Sequence, residues 1–225
     1  MYFFCYYFLL FFIYCLVGYV IECIFCSIIS KKIVLNRGFL IGPYLPIYGS
    51  GAMCIIVLLR KYLDDPLVVF VMASLIATGL EYFTSYIMEK IFKARWWDYS
   101  EKKFNINGRV CLENSVLFGL GSIIIMYIVN PFFENILRAL PEVLIIVLGL
   151  VFFIIYITDT LVSISIIYNL RKSSIAISKD STKEISEQVL QFLKNNVKLN
   201  KRLLNAFPKT KTHEFYDRVR EILNK

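Results

Sequence analysis

The sequence predicts an all-α integral membrane protein: five transmembrane helices, with the N-terminus outside and the C-terminus inside, followed by a cytoplasmic amphipathic helical tail. Three observations carry that expectation. The chain of 225 residues is 58% hydrophobic and 16% aromatic, above the ~45–50% apolar usage of soluble domains. Its apolar residues are gathered into five runs that lack the polar face a soluble bundle needs. Its net charge of +8 is uneven: residues 1–170 hold 12 Lys+Arg and 11 Asp+Glu, whereas 171–225 hold 13 and 6. The chain therefore divides into a membrane domain, 1–170, and a basic tail, 171–225.

The first run, Tyr2 to Ile29, contains one charge, Glu22. At about 1.5 Å per residue it exceeds the roughly 30 Å hydrocarbon core of a bilayer. A cleaved signal peptide is disfavoured, because no basic residue precedes the run and no small-residue cleavage site ends it. The second span, Leu40 to Leu59, opens within Gly38 to Gly51, which holds four of the 10 glycines and two of the six prolines. Regular helix is not expected there. The stretch is either broken backbone at membrane depth, tolerated where protein buries it or it lines a cavity, or a tight loop before a short tilted helix. The remaining spans are Pro66 to Met88, Arg109 to Asn130 with Pro131 as its limit, and Val143 to Leu170.

Loop charge gives orientation. Successive connections carry 3, 2, 6 and 1 Lys+Arg and the tail 13; placing the rich ones in the cytoplasm leaves three bases outside. The tail shows a Ser181-x-x-Glu184 capping box, then Ile185, Val189, Phe192, Leu199 and Leu203 at helical spacing, a break at Pro208 and a shorter apolar set from Phe215 to Leu223. Such helices suit an anionic inner leaflet or a partner helix; no nucleic-acid motif accompanies them. The six cysteines lie in or beside apolar runs, and Cys23-x-x-Cys26 has no second Cys/His pair near it, so no metal or cofactor is expected.

Four spans contain a carboxylate: Glu22, Glu81, Glu113 and Asp159. Only 15 residues separate Pro66 from Glu81 and 17 separate Glu113 from Pro131, so neither helix comfortably crosses without its acid. Glu22 falls near the inner boundary. In the predicted topology all four lie in the cytoplasmic half and could share one polar layer. An ionised carboxylate there costs about 2.5–3.5 kcal/mol, which calls for neutralisation or a partner; Arg37, Arg95 and Arg109 on the flanking loops are the natural cations. Helical spacing aligns Tyr19, Glu22 and Cys26; Thr78, Glu81 and Ser85; and Tyr156, Asp159 and Ser163. The layer is either a substrate, ion or proton site or an interhelical network that fixes packing.

The loop Glu89 to Arg109 holds both tryptophans, Trp96 and Trp97, which suit the headgroup region, and Asp98 beside Arg95. Anchoring does not explain Asn105-x-Asn107-Gly108-Arg109, which reads as a shaped turn into the fourth helix.

Gly18-x-x-x-Glu22, Asn36-Arg-Gly-Phe-Leu-x-Gly-Pro-x-x-Pro-Ile-Tyr-Gly49, Leu80-Glu-Tyr82, Glu89-Lys90, Arg95-Trp-Trp-Asp-Tyr-Ser100 and Phe104-Asn-x-Asn-Gly-Arg-x-Cys-Leu112 together resemble the Putative ABC-transporter type IV permease family of small bacterial membrane proteins. The likeness covers roughly the first 170 residues; Tyr19 and Ser85 stand where the family is associated with Trp and Gly. It implies a transport role in a bacterial cell membrane. The chain has no G-x-x-x-x-G-K-[ST], so such a role needs a separate ATPase subunit docked on the cytoplasmic loops or tail, and five spans suggest a homo- or hetero-oligomer. The expected site comprises Glu22, Glu81, Glu113, Asp159, Arg37, Arg95, Asp98, Asn107 and Arg109, in a non-enzymatic transport component. The alternative is a membrane scaffold or regulatory protein in which the same charges are structural. An intramembrane hydrolase or transferase is disfavoured, since no metal-ligand cluster or Ser/His arrangement is present.

Overall fold

A computed structural model describes residues 1–35, 38–92 and 97–179. Helix α1 (Tyr2–Ser30) is followed by the irregular segment 38–45, helix α2 (Pro46–Leu59), a single 3-10 turn and helix α3 (Pro66–Phe92). A two-stranded antiparallel hairpin, β1 (Asn105–Ile106) and β2 (Val110–Cys111), leads into α4 (Leu112–Ile124), which runs through a π-helical stretch, Ile125–Val129, into α5 (Asn130–Ala139). Helix α6 (Glu142–Lys179) ends the described part.

Helix α1 packs against α2 and α6, α3 packs against α4, and α2 joins the two halves through α3. Close approach of α1 and α2 rests on glycine. A Cβ at Gly49 would lie 2.4 Å from Cys15 Sγ and 2.8 Å from the Phe11 carbonyl oxygen, and one at Gly18 would lie 2.3 Å from Tyr48 Cβ. The core between the helices is built from Cys5, Leu10, Leu59, Val69 and Ile145, all fully buried. Outward-facing residues are as apolar as inward ones: Phe3, Ile28, Val57, Leu75, Phe83, Ile128 and Val151 are exposed. That inversion suits a hydrocarbon solvent. Among the described residues four helices are long and apolar enough to cross a membrane: Tyr2–Ser30, Pro66–Ile91, Leu112–Ala139 and Glu142–Ile166.

The second expected span is the one that differs. Only Pro46–Leu59 is helical, 14 residues or about 21 Å, too short to cross alone. Pro46 occupies its first turn, where a missing N–H is harmless. The preceding segment does not stay at the surface. The Leu45 N–H donates to the Cys15 carbonyl at 2.9 Å, half-way along α1, so irregular backbone enters the bundle and is buried there, with Leu40, Tyr44 and Leu45 nearly inaccessible.

The fourth span is longer than expected because Pro131 does not end it. A proline inside a helix removes one N–H and clashes with the carbonyl four residues back. Here the turns before it widen to π geometry over Ile125–Val129, and Pro131 falls in the first turn of α5. The helix continues to Ala139. Helix α6 likewise continues past Leu170 to Lys179; the rest of the tail, 180–225, lies outside the described residues.

Candidate functional site

Each of three in-span carboxylates receives a tyrosine hydroxyl. On α1, Glu22 Oε2 accepts from Tyr48 Oη of α2 at 2.8 Å, and Glu22 Oε1 from Cys26 Sγ at 3.3 Å. On α3, Glu81 Oε1 accepts from Tyr99 Oη at 3.1 Å. On α6, Asp159 Oδ2 accepts from Tyr44 Oη at 2.5 Å. The aligned residues seen in the sequence do face inward: Glu81, Ser85 and Ser163 are buried, and Thr78 donates to Ser115 of α4 at 2.7 Å. Tyr19 donates to the Leu35 carbonyl, tying the end of α1 to the chain that leaves it.

Glu22 and Glu81 lie within electrostatic reach of each other. Each lies near enough for its charge to act on Tyr48 and on Tyr99, and Glu22 acts on Glu81. Glu81 is 6% exposed, and its Oε2 has no hydrogen bond among the described residues, although the Asn114 amide of α4 stands nearby. Tyr99 lies on the loop. Burial, and then the Glu81 carboxylate, push its hydroxyl well above the usual tyrosine value, so it stays a donor.

Asp159 does a different job. Besides Tyr44 it accepts from the Ile41 N–H at 2.9 Å, the Gly42 N–H at 2.7 Å and Ser163 Oγ at 3.0 Å. Two consecutive backbone N–H groups and two hydroxyls around one carboxylate suit its ionised form. They fasten the irregular segment 38–45 to α6.

Glu113 is not part of a buried layer. The expectation assumed a helix ending at Pro131; with the helix reaching Ala139, Glu113 can stay in the first turn of α4, exposed, 2.7 Å from Lys102 Nζ. That hydrogen bond raises the Lys102 pKa. Arg109 pairs with none of the four in-span acids. Its Nη1 lies 2.7 Å from Glu89 Oε2 and 3.4 Å from Ser85 Oγ, and its guanidinium stands over the rings of Tyr82 and Tyr86 at 5.7 and 5.4 Å. Arg37 and Arg95 lie outside the described residues, as does Trp96.

The hairpin explains the remaining expected residues. Asn107 and Gly108 have φ of 54° and 66°, the left-handed pair that an Asn-Gly hairpin turn demands, and the Arg109 N–H donates to the Ile106 carbonyl at 3.0 Å. Asn107 Nδ2 also reaches Tyr82 Oη at 3.0 Å. Asp98 Oδ1 accepts from the Ser100 N–H and hydroxyl at 3.1 and 2.5 Å, starting the turn that delivers Tyr99. Trp97 donates to the Arg109 carbonyl at 2.9 Å and the Tyr99 N–H to that of Gly108 at 2.8 Å. Trp97 and Tyr99 thus build the loop that presents a hydroxyl to Glu81, beyond any anchoring in headgroups.

A second polar network lies at the Tyr2 end of α1, and sequence reasoning missed it. Arg138, Glu134 and Asn130 follow one another at i, i+4 spacing on α5. Arg138 Nη2 and Asn130 Nδ2 donate to Glu134 at 2.7 and 3.0 Å, and Tyr14 Oη donates to Asn130 Oδ1 at 3.2 Å. Arg60 Nη2 stands 3.9 Å from the same carboxylate. The spacing was the available signal, but it lay beyond the proline read as the end of the span.

No curated protein and no solved structure matches the chain. A family does. Gly18, Glu22, Gly49, Glu81 and the Asn-Gly turn are all positions that this fold uses for close approach, carboxylate pairing or a left-handed turn, and all fall within the matched stretch. The chain belongs to the family described as Putative ABC-transporter type IV, whose sequence profile matches residues 9–164.

Proposed function

We propose that this chain is the membrane-embedded component of an ABC-type transporter, with the Glu22–Tyr48–Glu81–Tyr99 cluster forming part of its pathway or gate. The observation that carries the reading is Glu81: a carboxylate 6% exposed within an apolar helix, with an oxygen that no hydrogen bond reaches among the described residues. Intramembrane ionisable groups are expensive and mark pathways more often than packing. Family membership supplies the transport setting.

In this reading α2 and the segment 38–45 together make a fifth, broken span, of the kind tolerated where protein buries the irregular part. The cluster then lies on the cytoplasmic side, with the N-terminus outside and the tail inside, in a bacterial cell membrane. Energy comes from a separate ATPase subunit docked on the loops flanking α1 and α3, and the working unit is an oligomer. The component itself catalyses no covalent step. Glu22, Glu81 and Tyr99 touch the transported species or close the path; Arg109 and Asn107 hold the loop; Asp159 holds the broken span.

The competing reading, a scaffold whose charges only fix packing, is favoured by one observation: three of the four donors around Asp159 come from the single segment 38–45. Affinity capture of the full chain from native membranes in mild detergent separates the two. An ABC ATPase among the copurifying proteins supports the transporter; an envelope enzyme without an ATPase overturns it.

A further inference from the structure

We infer that Glu81 is a proton-binding site, a buried carboxyl whose proton sits on the oxygen that no hydrogen bond reaches among the described residues. The step is addition of a proton to a carboxylate oxygen, with no other bond made or broken. The inference deepens the transport reading by naming the species that the cluster handles.

The geometry favours a proton over other cations. Hard divalent ions take six or more oxygens, and among the described residues no group of three or more His, Cys, Asp or Glu side chains could hold a metal. What Glu81 offers instead, among the described residues, is a buried carboxyl with one hydroxyl donor, Tyr99. A carboxyl held in a low-dielectric site with few donors keeps its proton more readily than one well supplied with them. Glu22 stands in different company. Glu22 accepts from Tyr48 and Cys26 through separate oxygens and is half-buried. Glu81 is buried, accepts from Tyr99 alone on Oε1, and has Oε2 without a hydrogen bond among the described residues. The proton therefore belongs on Glu81 Oε2.

Among the described residues, groups on the neighbouring elements are consistent with this. Helix α1 contributes Glu22, α2 contributes Tyr48, and α4 contributes the Asn114 amide. The loop contributes Tyr99, with Cys111 of β2 behind it. Arg109, one turn further along α3 at Ser85, is engaged with Glu89. On α6 the carboxylate Asp159 faces Ile41, Gly42 and Tyr44.

The test is infrared difference spectroscopy across a pH series on the full chain in lipid nanodiscs. The expected result is a protonated-carboxyl C=O band that disappears as pH rises, is lost in Glu81→Gln and survives in Glu113→Gln, a change at an exposed carboxylate. Should Glu81→Gln fail to accumulate, the wild type grown with carboxyl-labelled glutamate decides: the band must move with the label, which excludes aspartate. In Tyr99→Phe, which removes the donor that favours the charged form, the midpoint must rise by about one pH unit. Absence of the band, its persistence in Glu81→Gln, an unlabelled band, or a midpoint indifferent to Tyr99→Phe would overturn the inference. The measurement is made on resting protein, so loss of an ATPase partner would sink the transport reading and leave the proton site standing, and a missing band would do the reverse.

Discussion

Asp159 and Glu81 are both carboxylates part-way along long apolar helices, and their environments are opposite. Asp159 receives four donors, two of them backbone N–H groups of a segment that has no regular structure of its own. Glu81 receives one among the described residues, from a loop tyrosine. The first environment stabilises charge; the second penalises it. Position within a span therefore does not decide how well an acid's charge is supported. The donors around it do.

The largest effect that would break this contrast is at Asp159. Asp159→Asn removes the charge that four donors converge on and turns two of its acceptor lone pairs into donors. We expect a loss of about 3 kcal/mol or more and sharply reduced abundance, read by thermal unfolding in detergent. A variant as stable as the wild type would show that segment 38–45 holds its place without the latch. Next comes Gly49→Ala. Its Cβ would fall 2.4 Å from Cys15 Sγ, so α1 and α2 must separate, at about 1–3 kcal/mol, and the Leu45–Cys15 hydrogen bond should exchange faster. Glu81→Gln is the counterpart of Asp159→Asn with the opposite expectation. It reproduces the neutral carboxyl in shape, and the unfolding midpoint should stay within about 0.5 kcal/mol of wild type; a collapse like that of Asp159→Asn would erase the distinction. The smallest effect is Lys102→Ala. Its partner Glu113 is exposed, and surface pairs of this kind contribute little, so the midpoint should not move measurably.

Much of this was legible in the sequence, for identifiable reasons. The inward stripe Thr78–Glu81–Ser85 follows from helical period. The Asn107-Gly108 turn follows from its demand for two left-handed residues, and the irregular stretch from Gly38 onward from its glycines and prolines. Family membership followed from motifs that these same features carry. What was not legible depended on tertiary company. Among the described residues tyrosine hydroxyls meet the three in-span acids, because segments distant in sequence deliver Tyr44, Tyr48 and Tyr99 to them. Pro131 looked like a boundary, and only the widened turns before it reveal that the helix passes through. That one misreading placed Glu113 inside the bundle and hid the Asn130–Glu134–Arg138 ladder.

The buried end of segment 38–45 has one more consequence. Its Leu45 N–H meets α1 at Cys15, and the ladder from the other end of the molecule meets α1 at Tyr14. The two polar systems thus terminate on consecutive residues, about 1.5 Å apart along the axis and on different sides of the same helix. The middle of α1 is pinned from two directions, and a rotation of that helix about its axis must break the hydrogen bond to Leu45, the one to Asn130, or both.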